Sequence, residues 1–329
     1  MKNLMNQVDT VRDESLDGFA AAHADIIVLG AGRKFVRRRH IKPGKVALIS
    51  GGGAGHEPLH VGFVGYGMLD AACPGQIFTS PKPSQMLNAA EAVDGGAGIL
   101  FIVKNYPGDM MNFEMAAEML DLDNAMVIVN DDVAMEDSPH TMGRRGVAGT
   151  LIVEKILGAA AERGYKLGQL KTLGDAVNKS IASMGVALTS CTVPAAGKPT
   201  FQISSGDMEV GVGIHGEPGR RRQHLASADA IAAELTEAVI KDLSLKPGHE
   251  VILLVNGFGG TPILELYLMV NAARKILANA GITAVRYLTG SYVTSLEMAG
   301  CSITVSVVDD EILELWDAAV HTPALRWGM

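Results

Sequence analysis

Apolar and polar positions along the chain follow two periodicities. Leu4, Val8, Val11, Leu16 and Phe19 fall at mixed helical spacing, which predicts a helix or two ahead of the first strand. "KVALIS" (45–50) then predicts a short buried strand that ends in three glycines. "GILFIVKN" (98–105) and "AMVIVNDD" (125–132) repeat the arrangement, each an apolar run closing on polar residues. Between them "NFEMAAEMLDL" (112–122) has amphipathic helical character. Strand, helix and strand at this spacing predict a parallel sheet covered by helices on its faces.

Around 185–204 the texture turns to Thr, Pro and Gly, the mark of a junction or of a second sheet. Beyond it lie a helical stretch (228–243), the strand "HEVILLVNG" (249–257), a helix through 262–281, the strand "SITVSVVDD" (302–310) and the short helix "EILELWDAA". The expectation is an α/β chain of two domains, 1–187 and 188–329, each with a mostly parallel or mixed sheet flanked by helices. The C-terminal tail is expected to pack back on the first domain. A length of 329 residues allows two such cores.

Composition changes this picture little. Apolar residues make up 48% of the chain and charged residues 19%, which suits packed layers and not disorder. A net charge of -8 gives no reason to expect nucleic acid as a partner. The basic runs "RKFVRRRH" (33–40) and 220–222 read as solvated faces or as contacts for an acidic protein. Cys73, Cys191 and Cys301 lack CxxC spacing, so neither a disulfide framework nor a zinc site is indicated. Reduced thiols, acids throughout the first residues and no long apolar run fit a cytoplasmic chain that does not enter a membrane.

The candidate chemistry lies at strand ends, where ligands collect in parallel sheets. Three polar stretches sit there: "SGGGAGHEP" (50–58), "KNYPGD" (104–109) and "NDD" (130–132). The first lacks the lysine and hydroxyl of a phosphate loop, and its register misses the dinucleotide fingerprint. It reads either as a small-ligand site with backbone N–H groups available, or as a tight strand-to-helix turn. His56 with a carboxylate such as Asp109 makes a candidate proton-removing pair, and Lys104 stands beside them in sequence. "GHEP" (55–58) has a counterpart in "HGEP" (215–218), which makes His215 a further candidate. Cys73 is expected to pack, the methionines of 110–119 to belong to the core, and His321 and Trp327 to a docking tail.

Taken together, "KVALISGGGAGHEPLHVGFVGYGMLDAACPGQIFTSPKP", "IVKNYPGDMMNFEMA", "GRRGVAGT", "CTVPAAGKP", "EVGVGIHGEPG" and "WDAAVHTPAL" resemble the substrate-binding (K) subunits of the dihydroxyacetone kinase family. The resemblance runs essentially end to end and implies the two-domain DAK1/DegV-like α/β fold. It implies that His215 adds to the ketose carbonyl as a hemiaminal. Gly53, Lys104 and Asp109 would hold the substrate hydroxyls, and His56 with Asp109 would assist proton removal. No cofactor or metal is implied on this chain; ADP or ATP with Mg sits on an L-type partner subunit. An M-type phosphotransferase-system protein would rephosphorylate that nucleotide, and K subunits of the family are homodimers. Two departures stand out: Ala54 replaces an expected serine, and Arg220 to Arg222 follow "GEPG" ahead of a shortened stretch. They leave another short ketose such as erythrulose open. A ketose-binding co-activator of a transcription regulator and a fatty-acid-binding DegV-like protein are the non-enzymatic alternatives.

Overall fold

The computed structural model describes residues 3–135 and 143–328. They form two compact units: one comprises 1–128, 153–176 and 313–329, the other 129–152 and 177–312.

The first unit holds a six-stranded sheet of β1 (Ile27–Leu29), β2 (Val36–Arg38), β3 (Ala47–Ala54), β4 (Ala71–Ile77), β5 (Ile99–Lys104) and β6 (Asn124–Val129). Its spatial order is β1-β2-β4-β3-β5-β6. Central β3 runs parallel to both β4 and β5, while β2 is antiparallel to β1 and β4. Helices α1 (Val11–Ala22), α2 (Pro83–Val93) and α3 (Pro107–Met119) belong to this unit. Both α2 and α3 begin on a proline, whose missing N–H is harmless in a first turn. Ile49, Phe101 and Val103 from the strands meet Met86 and Phe113 from the helices in the core, which explains the continuous apolar runs of β3 and β5.

Helices α4 (Gly149–Glu162) and α5 (Leu167–Lys179) each begin in one unit and end in the other. In the second unit, β7 (Ile181–Ala187) is followed by a small hairpin, β8 (Thr192–Val193) with β9 (Lys198–Pro199). Then come β10 (Asp207–Val210), β11 (Arg221–His224), α6 (Ala228–Asp242), β12 (Glu250–Gly257), α7 (Ile263–Asn279), β13 (Thr283–Gly290) and β14 (Gly300–Val307). The sheet order is β11-β10-β7-β14-β12-β13. Helix α8 (Asp310–Trp316) leads back to the first unit, where β15 (Val320–His321) pairs with β16 (Arg326–Trp327).

Three features refine the pattern expected of the sequence. First, the units do not divide at residue 187, because β7 pairs with β14 from Ile181↔Ser306 to Ala187↔Gly300 and so lies inside the second sheet. Second, that sheet is mixed, the second of the two forms expected, and antiparallel at every recorded pairing except β12 with β13. Third, Gly51 to Gly53 are not a loop after β3; they are part of the strand, opposite Cys73, Pro74 and Gly75 of β4. The tail packs within the first unit, where the backbone of His321 bridges to Tyr66 and Trp327 meets Trp316 edge-on.

The second unit is fastened at the start of α4 by Asp131. Its Oδ1 accepts from Val147 N at 2.8 Å, and its Oδ2 accepts from Gly149 N at 2.7 Å and from the Ser183 hydroxyl. This carboxylate caps the helix N-terminus, where N–H groups lack intrahelical partners. Asp131→Ala orphans two buried N–H groups and is expected to lower stability by about 2–4 kcal/mol, read from urea unfolding.

Candidate active site

In the first unit the site is built where β3, β5 and α3 meet. Strand β5 ends on Lys104, and the chain turns at once into α3, which places Asp109 in the first helical turn. Lys104 is 1% exposed, Asp109 4%, His56 1% and His60 5%. The Lys104 ammonium lies 2.6 Å from His60 Nε2, 3.3 Å from the Gly51 carbonyl it donates to, and 3.8 Å from Asp109 Oδ2. Asp109 Oδ1 is buried with no hydrogen-bond partner among the described residues. On its other face His60 Nδ1 is 2.6 Å from Glu154 Oε1, on α4. The His56 ring stacks on Phe78, centroids 4.9 Å apart and planes within 17°.

The three glycines each clear a different neighbour. A Cβ on Gly52 would stand 2.5 Å from Lys104 Nζ, one on Gly51 2.6 Å from the Cys73 carbonyl oxygen, and one on Gly53 2.6 Å from Thr79 N. Only at Gly55, with φ of 99°, does this stretch require the left-handed region. The triplet is therefore in-strand clearance for a buried cation and close backbone, and not a phosphate cradle.

Burial drives the electrostatics. It pushes the Lys104 ammonium below its ordinary range, against the opposing charges of Asp109 and Glu154. It raises Glu154 as well, and the charge of Lys104 opposes that rise. Burial also drives His60 well below the usual imidazole range, aided by the charges of Lys104 and His56, so this ring stays neutral. The Cys73 thiol is pushed up by burial alone, which leaves it a packing residue and no nucleophile.

In the second unit "GVGIHGEPG" forms a tight turn in which Gly216 N donates to the Gly213 carbonyl at 3.0 Å, with Gly216 at φ of 77°. Glu217 folds back on His215: Oε2 accepts from the His215 backbone N–H at 2.9 Å and Oε1 lies 2.8 Å from Nδ1. Burial alone would raise Glu217, but the His215 hydrogen bond and the charges of His215 and Arg145 outweigh it and bring it down to about 2. A carboxylate accepts only, so Nδ1 of His215 carries a hydrogen, and in the neutral imidazole Nε2 is then the lone-pair nitrogen. The His215 side chain is 22% exposed. Arg145 is itself fixed, donating to Asp132 Oδ2 at 2.8 Å and to the Gly211 carbonyl at 2.8 Å.

Gly53, His56, Lys104 and Asp109 thus belong to one unit, and His215 to the other. Sequence reasoning missed Glu154, and it gave no role to His60 or Arg145, although both lie inside the motifs that carry the family resemblance. Glu217 stood inside a quoted motif, but its role rests on a back-folding turn. A small cavity of about 60 Å³ reaches Gly52, Gly53 and His60 without reaching His56, Lys104 or Asp109. Met110 is buried as expected, whereas Met111, Met115 and Met119 are exposed at 58, 46 and 63%, because they lie on the outer face of α3. Among the described residues no cluster of His, Cys, Asp and Glu has the makings of a metal site.

A family profile described as the Dak1 domain matches residues 17–324. The chain is 48% identical over 314 residues to the dihydroxyacetone-binding subunit DhaK of PTS-dependent dihydroxyacetone kinase 1 from Listeria innocua, covering 94% of this chain and 95% of that one. It is 47% identical over 355 residues to the corresponding subunit of the PEP-dependent kinase of Escherichia coli, with both chains fully covered. Among solved structures it is similar to the dihydroxyacetone kinase operon co-activator Dha-DhaQ, with a TM-score of 0.91 and 31% identity over 95% of this chain and 98% of that one.

The glycine geometry is directly testable. Gly53→Ala meets immovable backbone and is expected to cost about 1–3 kcal/mol, with the Gly52→Ala loss at the lower end because a lysine tip can withdraw. Parallel chemical-denaturation curves of the two variants check the ranking.

Proposed function

The chain belongs to the Dak1 domain family, and from that premise we propose that it is the dihydroxyacetone-binding subunit of a multi-subunit dihydroxyacetone kinase. It is a phosphotransferase subunit that works with partner subunits. The observation that carries the mechanism is the Glu217 to His215 pairing, which makes Nε2 the ring nitrogen with the lone pair. That nitrogen attacks the ketose carbonyl carbon. As the N–C bond forms, the carbonyl π pair moves to oxygen, which takes up a proton, while the ring gives up its Nδ1 hydrogen. The net change is N–H plus C=O to N–C–O–H, a hemiaminal. Glycerol offers hydroxyls but no electrophilic carbon, so the step selects ketoses.

The first unit would then hold the hydroxyls. Lys104 donates, Asp109 Oδ1 offers a buried acceptor with no hydrogen-bond partner among the described residues, and Gly53 follows Gly52, at which a Cβ would stand 2.5 Å from Lys104 Nζ. His56, held face-on by Phe78, takes the proton of the hydroxyl to be phosphorylated, with Asp109 favouring the imidazolium that results. The phosphoryl group comes from a nucleotide with Mg carried by an L-type subunit, and positioning supplies most of the catalysis in such transfers. The subunit acts as a homodimer in the cytoplasm, and an M-type phosphotransferase protein restores the nucleotide on the partner. No helix among the described residues is long and apolar enough to cross a membrane.

A co-activator role is the second reading, favoured by the likeness to Dha-DhaQ. The 48 and 47% identities to kinase subunits weigh toward the enzyme.

Carbon NMR with carbonyl-labelled dihydroxyacetone tests the site. A tetrahedral-carbon signal is expected with the unaltered protein and none with His215→Ala. With an L-type subunit and donor present, His56→Asn is expected to keep that signal and to slow phosphorylation by about 10²-fold or more. Free ketone and hydrate alone in both samples, with erythrulose as well as dihydroxyacetone, overturn the covalent mechanism. A hemiaminal without any turnover moves the reading to the co-activator.

A further inference from the structure

Behind Lys104 lies a row of buried groups that the mechanism above does not use. Glu154 on α4 is 0% exposed, and its Oε1 lies 2.6 Å from Nδ1 of His60. The opposite nitrogen of that ring, Nε2, lies 2.6 Å from Lys104 Nζ. An ammonium has donors and no acceptor, so Nε2 must present its lone pair. A neutral imidazole with a lone pair on Nε2 carries its hydrogen on Nδ1, and the partner of that hydrogen must accept, as Oε1 of Glu154 does.

We propose that Glu154 and His60 form a buried positioning dyad, in which the carboxylate fixes the His60 tautomer so that Nε2 holds the Lys104 ammonium, charged, against Gly52 and Asp109. The inference deepens the ketose-site reading by naming what sets the charge and direction of its lysine.

Three observations converge on it. A buried ammonium ordinarily loses its proton unless paired, and the Asp109 carboxylate at 3.8 Å is too far for a direct hydrogen bond. The 2.6 Å contact to His60 is the shorter of the two hydrogen bonds recorded for Nζ, the other being 3.3 Å to the Gly51 carbonyl. Space at this point is set by Gly52, where a Cβ would stand 2.5 Å from Nζ and 3.5 Å from His60 Nε2. The charged and titratable groups around Lys104 are Asp109 from α3, Glu154 from α4 and His60; His56 acts on His60 in turn. Since Asp109 and Glu154 both raise Lys104 against burial, removing the Glu154 charge lowers it further.

Two measurements test the dyad. Nitrogen NMR of the His60 ring in the unliganded wild-type protein is expected to show a hydrogen on Nδ1 and a bare Nε2 from pH 6 to 8, values chosen around neutrality. A ring with its hydrogen on Nε2, or a doubly protonated one, overturns the proposal, and this readout needs no ketose. In the second, the alkaline loss of ketose binding in Glu154→Gln is expected about one pH unit below the wild type, with Glu154→Asp restoring much of it. An unchanged pH profile, or a loss equal at every pH, assigns Glu154 a merely structural role. If the wild type binds no ketose but shows the expected tautomer, the ketose reading fails and the dyad stands.

Discussion

An ammonium group with 1% of its surface exposed must find acceptors inside the protein, and much of the first unit follows from that requirement at Lys104. The lysine ends β5, one strand away from the glycines of β3, so the space for its head is set by the side chains β3 lacks. Gly52 supplies the opening and Gly51 a carbonyl, while α3 starts three residues later and delivers Asp109. The glycine triplet, the proline that starts α3 and the short polar link between strand and helix are thus parts of one solution to a single buried charge.

Each unit contains a carboxylate that fixes an imidazole through Nδ1, and burial separates the two roles. Glu154 and His60 are buried at 0 and 5% exposure, and that ring is turned on Lys104. Glu217 and His215 keep 31 and 22% of their side-chain surface, and this ring can meet a ligand. The same tautomer logic therefore serves positioning in one case and nucleophilic addition in the other.

What the sequence made legible were strongly patterned elements. The runs at 98–105, 125–132, 249–257 and 302–310 contain β5, β6, β12 and β14, because strands buried on both faces have little polar interruption. The helices α6 and α7 were equally plain. Apolar periodicity is silent on partner choice, however, so a boundary drawn at 187 leaves 181–187 outside the sheet it joins, and a mostly parallel sheet could not be told from a mixed one. The methionines of α3 defeat a count of apolar residues, since three of them project outward. His60 and Glu154 are 94 residues apart, and no local spacing announces a contact made by folding α4 against the segment that follows β3. Glu217 differs: two residues from His215, it was within reach of the argument that a carboxylate beside a histidine sets its tautomer.

The departures at Ala54 and Arg220 to Arg222 can now be weighed physically. Ala54 closes β3 with 7% exposure, and its carbonyl accepts from Phe78 N at 2.9 Å, the residue against which His56 stacks. What this position contributes to His56 is therefore main chain, which a serine and an alanine supply alike. The arginine run is engaged inside its own unit: Arg220 donates to the Val133 and Ala134 carbonyls, Arg221 pairs with Glu234 and Arg222 with Glu209. Arg222 also lies over the Phe201 ring, at 6.0 Å from its centroid. These pairs orient β11 and the turn before it, the turn that carries His215, but Arg221 and Arg222 keep 61 and 44% of their side-chain surface, so each pair adds little to stability.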